Sequence, residues 1–229
     1  MSRNSLALAA LCLFTFAANA AAPLYEAGRH YTVLPQAQPT TVPAGKVEVL
    51  EVFSYGCPAC NQFRPFMKQL TSSLPANAQL AYMPASWNPG ENWHVFQRAF
   101  LAAQSLGVAD KAHEAMFDAI WTTGELGIAD SRTGRVKARL PTIEDVARFY
   151  ERVTGVKAAD FVVTAKSFGI EAKMKQADAQ IIAMKVNSTP TLVVNGKYRV
   201  DGDKISSRAE MIEVVKFLVA KEAAAAPKK

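Results

Sequence analysis

Two of the chain's three cysteines, Cys57 and Cys60, are separated by only two residues. Residues 46–54, just before them, are rich in Val, Leu and Phe and are predicted to form a strand, whereas residues 61–70 show helical apolar spacing. Pro58 suits the first position of that helix, which places Cys57 at its N-terminus. Free backbone N–H groups and the helix dipole stabilise a thiolate there. The spacing also brings both sulfurs to one side, so the pair can close a disulfide and pass two electrons through a mixed disulfide.

Other uses of two neighbouring cysteines are less well supported by the residues. A zinc site needs two more ligands, but the chain has no second C-x-x-C, and its histidines, His30, His94 and His113, lack ligand spacing. We therefore expect no metal and no cofactor. A disulfide across four residues closes too small a loop to stabilise a fold appreciably. A structural disulfide and a pair of inert core cysteines remain the alternatives to redox chemistry.

Residues 1–20 have the three-part pattern of a secretory signal peptide. Arg3 is their only charge, residues 6–18 are continuously apolar, and small residues occupy the −3 and −1 positions of a cleavage site after Ala20. The apolar run is shorter than the roughly 20 residues of a membrane span, and an uncleaved anchor is the alternative. Cleavage would remove Cys12 and leave two cysteines in an oxidising compartment.

The composition is that of an ordinary globular protein. The chain has 229 residues, of which 50% are hydrophobic and 20% are charged, so it has enough apolar surface for a real core. The same values argue against a disordered or fibrous chain. The formal charge of +6, which becomes +5 after the expected cleavage, is not gathered into a Lys/Arg-rich stripe. We therefore expect no binding to nucleic acid.

The remaining pattern predicts a compact α/β unit interrupted by a block of helices. Apolar runs and turn residues predict further strands at residues 31–34, 78–84, 191–194 and 197–200. Helical spacing recurs from about residue 90 to residue 183, with a longer loop at residues 122–141 and a separate helix over residues 158–168, and a last helix runs to about residue 221.

Short local signals predict where several of these elements begin or turn. Asp110 is expected to cap one helix, Thr142 with Asp145 resembles a capping box, and Ser207 with Glu210 resembles another. Asn195-Gly196 is a two-residue hairpin signal between the last two predicted strands.

Three stretches make the chain similar to the DsbA family of periplasmic thiol:disulfide oxidoreductases. They read VEVLEVFSYGCPAC around the cysteine pair, AGRHYTVL before it and MKVNSTPTLVVNGKYRV late in the chain. The resemblance covers nearly the whole chain after residue 20 in the order of its elements. It implies a thioredoxin-like fold at residues 21–88 and 171–229, interrupted by an all-helical insertion domain at residues 89–170.

The resemblance also implies roles for individual residues. Cys57 would be the exposed sulfur that substrates attack, and Cys60 the buried, resolving one. Thr189-Pro190 would form a cis-proline loop that faces the pair and binds peptide substrates. Glu51 would be a buried acid that helps proton transfer at Cys60; the alternative is a strand carboxylate with an exposed tip.

The two residues between the cysteines tune the redox potential in this interpretation. Pro58 begins the helix, and Ala59 stands where DsbA proteins commonly carry histidine. An imidazole at position 59 would stabilise the Cys57 thiolate, and with it the reduced form of the cysteine pair. The methyl side chain of Ala59 cannot stabilise the thiolate in this way. We therefore expect a weaker oxidant than the histidine version.

The resulting hypothesis is a monomeric periplasmic oxidase that donates the Cys57–Cys60 disulfide to newly secreted, reduced proteins. A DsbB-like membrane quinone reductase would reoxidise it. The alternatives are a periplasmic disulfide reductase or an isomerase, although the 36 residues between the expected cleavage site and Cys57 leave no room for the dimerisation domain of DsbC-type isomerases. A peptide-binding chaperone module is an alternative of a different class.

The three histidines lie outside the cysteine motif. His94, with Trp87 and Trp93 nearby, could rim a peptide groove, although such aromatics more often serve in packing. His30 and His113 are expected at the surface.

Overall fold

The computed structural model describes residues 24–130 and 132–225. The predicted signal peptide and its cleavage site lie outside these residues. The strands are β1 (Tyr31–Val33), β2 (Val47–Phe53), β3 (Ala78–Pro84), β4 (Thr191–Val194) and β5 (Tyr198–Val200). The helices are α1 (Pro58–Ser73), α2 (Trp93–Ser105), α3 (Ala109–Trp121), α4 (Ile143–Thr154), α5 (Ala158–Ala165), α6 (Phe168–Ala183) and α7 (Arg208–Ala225). Single 3₁₀ turns lie at Pro89–Glu91 and Gly202–Lys204.

The five strands form one mixed sheet in the order β1-β5-β4-β2-β3. β2 pairs in parallel with β3 and antiparallel with β4, and β5 pairs antiparallel with both β4 and β1. The predicted hairpin between β4 and β5 is confirmed. Asn195 and Gly196 both have positive φ, 52° and 62°, as a two-residue turn of this kind requires.

The central strand β2 is buried along its whole length, because helices cover both faces of the sheet. Val47 and Val49 pack with apolar side chains of α1 and α7. Leu50 and Val52, on the opposite face, belong to a larger core built mainly from α2 to α6. These observations confirm an α/β fold carrying a block of inserted helices.

Two of the three predicted helix caps are confirmed. Thr142 Oγ1 accepts the backbone N–H of Asp145, whose carboxylate accepts that of Thr142, so the capping box of α4 is complete. Ser207 Oγ accepts the backbone N–H of Glu210 at 3.1 Å. The Asp110 cap is wrong: α3 begins one residue earlier, and Asp110 lies inside its first turn.

The helix predicted over residues 158–168 is too long. α5 ends at Ala165, and a new helix begins at Phe168, because Ser167 caps it by accepting the backbone N–H of Ile170 at 3.3 Å. The expected domain boundary between residues 170 and 171 falls inside this helix, α6, so the division into two domains remains a proposal. Within the described residues, no helix has the length and apolar character needed to span a membrane.

Candidate active site

Cys57 is the N-cap of α1, and both cysteines of the pair are free thiols. Pro58 occupies the start of the helix, as its sequence position predicted. The Cys57 sulfur accepts the backbone N–H of Cys60 at 3.4 Å, which satisfies one of the donors that a helix leaves free at its N-terminus.

The Thr189–Pro190 loop lies directly beside Cys57. Residues Val52 and Thr191 pair across the antiparallel strands β2 and β4, so the start of β4 lies next to the end of β2. The Cys57 thiol donates to the backbone carbonyl of Thr189 at 3.5 Å. The Thr189–Pro190 peptide bond is cis, as the resemblance implied.

Burial differs across the C-x-x-C segment. Cys57 is 5% exposed and Cys60 is 1% exposed, so the expectation that Cys57 lies exposed is wrong for the residue as a whole. The end of β2, the N-terminus of α1 and the Thr189 loop enclose it. Pro58 and Ala59 between the cysteines are exposed and form the solvent-facing part of the segment.

The two thiols have opposite acidities. A hydrogen bond from the Cys60 side chain is the largest cause lowering the pKa of Cys57, and backbone N–H groups of Cys60 and Ala59 add to it; they outweigh burial and bring the pKa to about 6. Burial raises the pKa of Cys60 far above its ordinary range, and the neighbouring Cys57 raises it further. At neutral pH one sulfur is therefore a nucleophile and the other holds its proton.

Glu51 lies in β2 and is 4% exposed, which contradicts the alternative of a strand carboxylate with an exposed tip. Burial, with a smaller contribution from the charge of Cys57, raises its pKa to about 8. The carboxyl group is therefore protonated at neutral pH. Glu48 of the same strand is also buried, and its carboxylate accepts hydrogen bonds from the backbone N–H and hydroxyl of Thr41 at 2.7 and 2.8 Å.

The expectation that His30 and His113 lie at the surface is wrong for both. His113 is buried among aromatic rings, and its Nδ1 lies 3.0 Å from the hydroxyl of Tyr55. Burial lowers the pKa of His113 to about 4, so it is neutral. His30 is also buried, and its Nδ1 accepts the backbone N–H of Glu26 at 3.1 Å.

Of the residues predicted to rim a peptide groove, Trp93 is buried, whereas Trp87 and His94 are exposed. Trp93 is buried and packs closely against Gly56, where an added Cβ would lie 2.8 Å from the indole ring. Trp87 lies beside Trp93, with ring centroids 5.8 Å apart, and remains 43% exposed. His94 is exposed at the start of α2.

Sequence reasoning missed the ion pairs that join α1 to the inserted helices. The guanidinium of Arg64 in α1 lies 2.9 Å from a carboxylate oxygen of Glu114 and 2.9 Å from one of Asp118, both in α3. Lys68 also pairs with Glu114 at 2.9 Å. The partners are about 50 residues apart in the chain, so no local signal could have found them.

Sequence reasoning also missed a groove beside the cysteine pair, which we call the active-site groove. Its volume is about 720 Å³. It runs between α1, the Thr189–Pro190 loop and the connection from β5 to α7. Its lining includes Ala59, Phe63, Pro190, Asp203, Ile205 and Arg208.

Comparison with known proteins gives a consistent result. A thioredoxin family model matches residues 42–214. The thiol:disulfide interchange protein DsbA of Pseudomonas syringae pv. tomato is 35% identical over 222 residues, which cover 97% of this chain and 95% of that protein. The DsbA of Pseudomonas aeruginosa is 36% identical over 221 residues, or 96% of each chain. The crystal structure of the oxidoreductase DsbA from Xylella fastidiosa matches with a TM-score of 0.74 at 30% identity, covering 88% of this chain and 99% of that one.

Proposed function

The chain belongs to the DsbA family of thiol:disulfide oxidoreductases, and we propose that Cys57 and Cys60 are the pair through which it acts. It is a periplasmic thiol:disulfide oxidase that introduces disulfides into other proteins. The opposite acidity of the two sulfurs carries the residue assignment. A stabilised Cys57 thiolate favours the reduced pair, and this makes the disulfide form a good oxidant.

The first step is attack by a substrate thiolate on the Cys57 sulfur of the oxidised pair. The bond between Cys57 and Cys60 breaks, a mixed disulfide forms between Cys57 and the substrate, and Cys60 leaves as a thiolate. A second substrate thiolate then attacks the substrate sulfur of the mixed disulfide. Cys57 leaves as a thiolate, which its low pKa favours. The substrate has lost two electrons, and the enzyme has become the dithiol.

Glu51 is assigned to the proton that Cys60 needs. A thiolate at Cys60 is strongly disfavoured because the site is buried. The protonated carboxyl of Glu51, with a pKa of about 8, has a proton to give at neutral pH. The proton thus moves from Glu51 to the Cys60 sulfur as the first bond breaks.

The Thr189–Pro190 loop is assigned to substrate binding. Its backbone lies within 3.5 Å of the Cys57 sulfur, so a peptide held against it presents its own cysteine to Cys57. Pro58 and Ala59 form the exposed edge of the same surface. Main-chain contacts of this kind are independent of side chain, which suits an enzyme that acts on many reduced proteins.

The remaining parts of the proposal concern location and turnover. The signal peptide is cleaved after Ala20, and the mature protein acts as a monomer on newly secreted proteins. A DsbB-like membrane quinone reductase accepts the two electrons from the dithiol and restores the Cys57–Cys60 disulfide. The protein needs no cofactor or metal of its own.

Two matched variants test the residue assignment. Each is mixed with a reduced substrate protein that has two cysteines, so that only one disulfide can form in it. Cys57→Ser should abolish disulfide formation because no sulfur remains for the substrate to attack. Cys60→Ser should also stop turnover, but for a different reason: Cys57 has no partner with which to form the disulfide that oxidises the substrate. With a peptide whose single cysteine is capped by glutathione, the Cys57 thiolate of this variant should displace glutathione and form a mixed disulfide with the peptide. Only Cys60→Ser should accumulate this complex, because Cys57→Ser lacks the attacking sulfur and the wild type releases the peptide by attack of Cys60.

The same experiment separates the oxidase from the other functions. Full disulfide formation by Cys57→Ser would refute the assignment. Retained suppression of aggregation by both variants, with no redox activity in the wild type, would support a chaperone module. A periplasmic extract that holds the pair mostly as a dithiol would support a reductase.

A further inference from the structure

The active-site groove has an apolar floor. Phe63 is buried beneath it, and Pro190 and Ile205 are partly buried at its sides. Ala59, the neighbour of Cys60, lies at one end. A volume of about 720 Å³ falls within the range of roughly 300–1,000 Å³ of sites that bind ligands. A short segment of a substrate chain therefore fits there while its cysteine reacts.

Two charged residues along the groove, Arg199 and Asp201, form an ion pair with each other. The guanidinium of Arg199 lies 3.2 Å from a carboxylate oxygen of Asp201. Asp201 is itself buried and accepts a hydrogen bond from the hydroxyl of Thr32 at 2.8 Å. These two residues hold the wall of the groove together and leave no net charge for a ligand.

Arg208 differs from Arg199, which pairs with Asp201. Within residues 24–130 and 132–225, the guanidinium of Arg208 has no carboxylate within 4.0 Å and donates no hydrogen bond to the protein, although it packs against two aromatic rings. Its guanidinium carbon instead lies 4.7 Å from the ring centroid of Phe63 and 5.5 Å from that of Phe66. Contact with two buried rings holds the cation at the groove floor. Its five N–H donors remain available, and a carboxylate is the group that this fork matches with two hydrogen bonds.

The position of Phe63 sets the distance between this cation and the reacting cysteine. Phe63 follows Cys57 by six residues on α1, which corresponds to about 9 Å along the helix. An extended peptide advances about 3.3 Å per residue. A carboxylate that reaches Arg208 thus belongs to a residue about two or three positions from the cysteine bound at Cys57.

We propose that Arg208 is a specificity-determining residue, which favours substrate segments carrying Asp or Glu about two or three residues from the reacting cysteine. The proposal rests on the oxidase function proposed above and adds a preference within it. Main-chain binding at Thr189–Pro190 accepts any sequence, whereas the unpaired guanidinium over Phe63 and Phe66 discriminates among side chains. Neutral segments remain substrates and react more slowly.

The test compares two peptides on each form of the enzyme. Both contain two cysteines; one has Glu and the other Gln at the second and third positions on each side of the first cysteine. The wild-type disulfide form should oxidise the Glu peptide with a kcat/KM roughly two- to fivefold higher at low ionic strength, the range of a partly exposed ion pair. The ratio should fall towards one as salt is added. In Arg208→Gln it should be close to one at every salt concentration, and Arg208→Lys should restore part of it.

Asp203→Asn is the matched control, because Asp203 is the other exposed charge of the groove. It raises the groove charge by one without touching Arg208, so it should change the ratio much less than Arg208→Gln does. If Asp203→Asn raised the Glu-to-Gln ratio of kcat/KM by as much as Arg208→Gln lowers it, the overall charge of the groove, and not Arg208, would set the preference. A wild-type ratio of one, or the same ratio in Arg208→Gln, would also overturn the proposal. Failure of the wild type to oxidise either peptide would instead count against the oxidase assignment.

Discussion

Replacement of Glu51 by glutamine should stabilise the reduced protein by about 3 kcal/mol at pH 7. In the unfolded chain this glutamate ionises near its ordinary pKa of 4.5, whereas in the folded protein burial and the charge of Cys57 raise the pKa to about 8. Between these values the unfolded state has released a proton that the folded state still holds. The free energy of unfolding therefore falls by about 1.36 kcal/mol per pH unit. Glutamine does not titrate and so removes this loss.

Urea unfolding of the reduced protein, measured at several pH values, checks the prediction. The gap in unfolding free energy between Glu51→Gln and the wild type should be small near pH 4.5, widen as the pH rises and level off above about pH 8. The oxidised protein should show a smaller gap, because the Cys57 thiolate is absent. The variant should also release Cys60 from its disulfide more slowly, since the proposed proton donor is lost.

Glu48→Gln is the control for this experiment. Glu48 lies in the same strand and is equally buried, but its carboxylate accepts two hydrogen bonds from Thr41. Its replacement should bring no gain in stability, because a charge-assisted interaction is weakened. Stability curves for Glu51→Gln and the wild type that run parallel from pH 4.5 to pH 8 would refute the reasoning, and so would an equal gain in Glu48→Gln.

Three further outcomes are expected. Ala59→His should shift the redox equilibrium with glutathione towards a more oxidising potential, because an imidazole beside the exposed N-terminus of α1 stabilises the thiolate of the reduced form; an unchanged potential would contradict this. The ultraviolet absorbance of the thiolate should titrate with a midpoint near pH 6, and Cys60→Ala should raise that midpoint because the largest cause of the low Cys57 pKa is removed. Gly196→Ala should cost at least about 2 kcal/mol, since its Cβ would lie 2.2 Å from a backbone oxygen. Gly124→Ala, which also has positive φ but an open surrounding, should cost only about 1 kcal/mol in the same unfolding assay.

Several elements were predictable because their causes are local in the chain. The Asn195-Gly196 turn needs only two residues that accept positive φ, and the Thr142–Asp145 box needs only two side chains one helical turn apart. Placement of Cys57 at a helix start followed in the same way from Pro58 and the strand before it. The Asp110 cap failed because α3 begins at Ala109, with Val108 as its N-cap and no side-chain capping hydrogen bond.

Other features depend on partners that are distant in sequence. His113 is expected at the surface from the sequence, yet the fold surrounds it with the rings of Phe53 in β2 and Tyr82 in β3, both distant in the chain. The counterions of Arg64 lie about 50 residues away, in α3. The active-site groove combines residues from α1, the Thr189–Pro190 loop and the start of α7.

The redox chemistry of this protein can be inferred from the amino-acid order alone: two cysteines stand at the start of a helix, in a chain expected to enter an oxidising compartment. Hydrogen bonds and helix dipoles at that position act over a few residues, so spacing is enough to reveal them. The protonation of Glu51 and the lack of a carboxylate partner for Arg208 among the described residues, by contrast, follow from the folded arrangement. Burial and counterions depend on which distant segments pack together, and the packing of β2 beneath two layers of helices is what keeps the Glu51 carboxyl neutral.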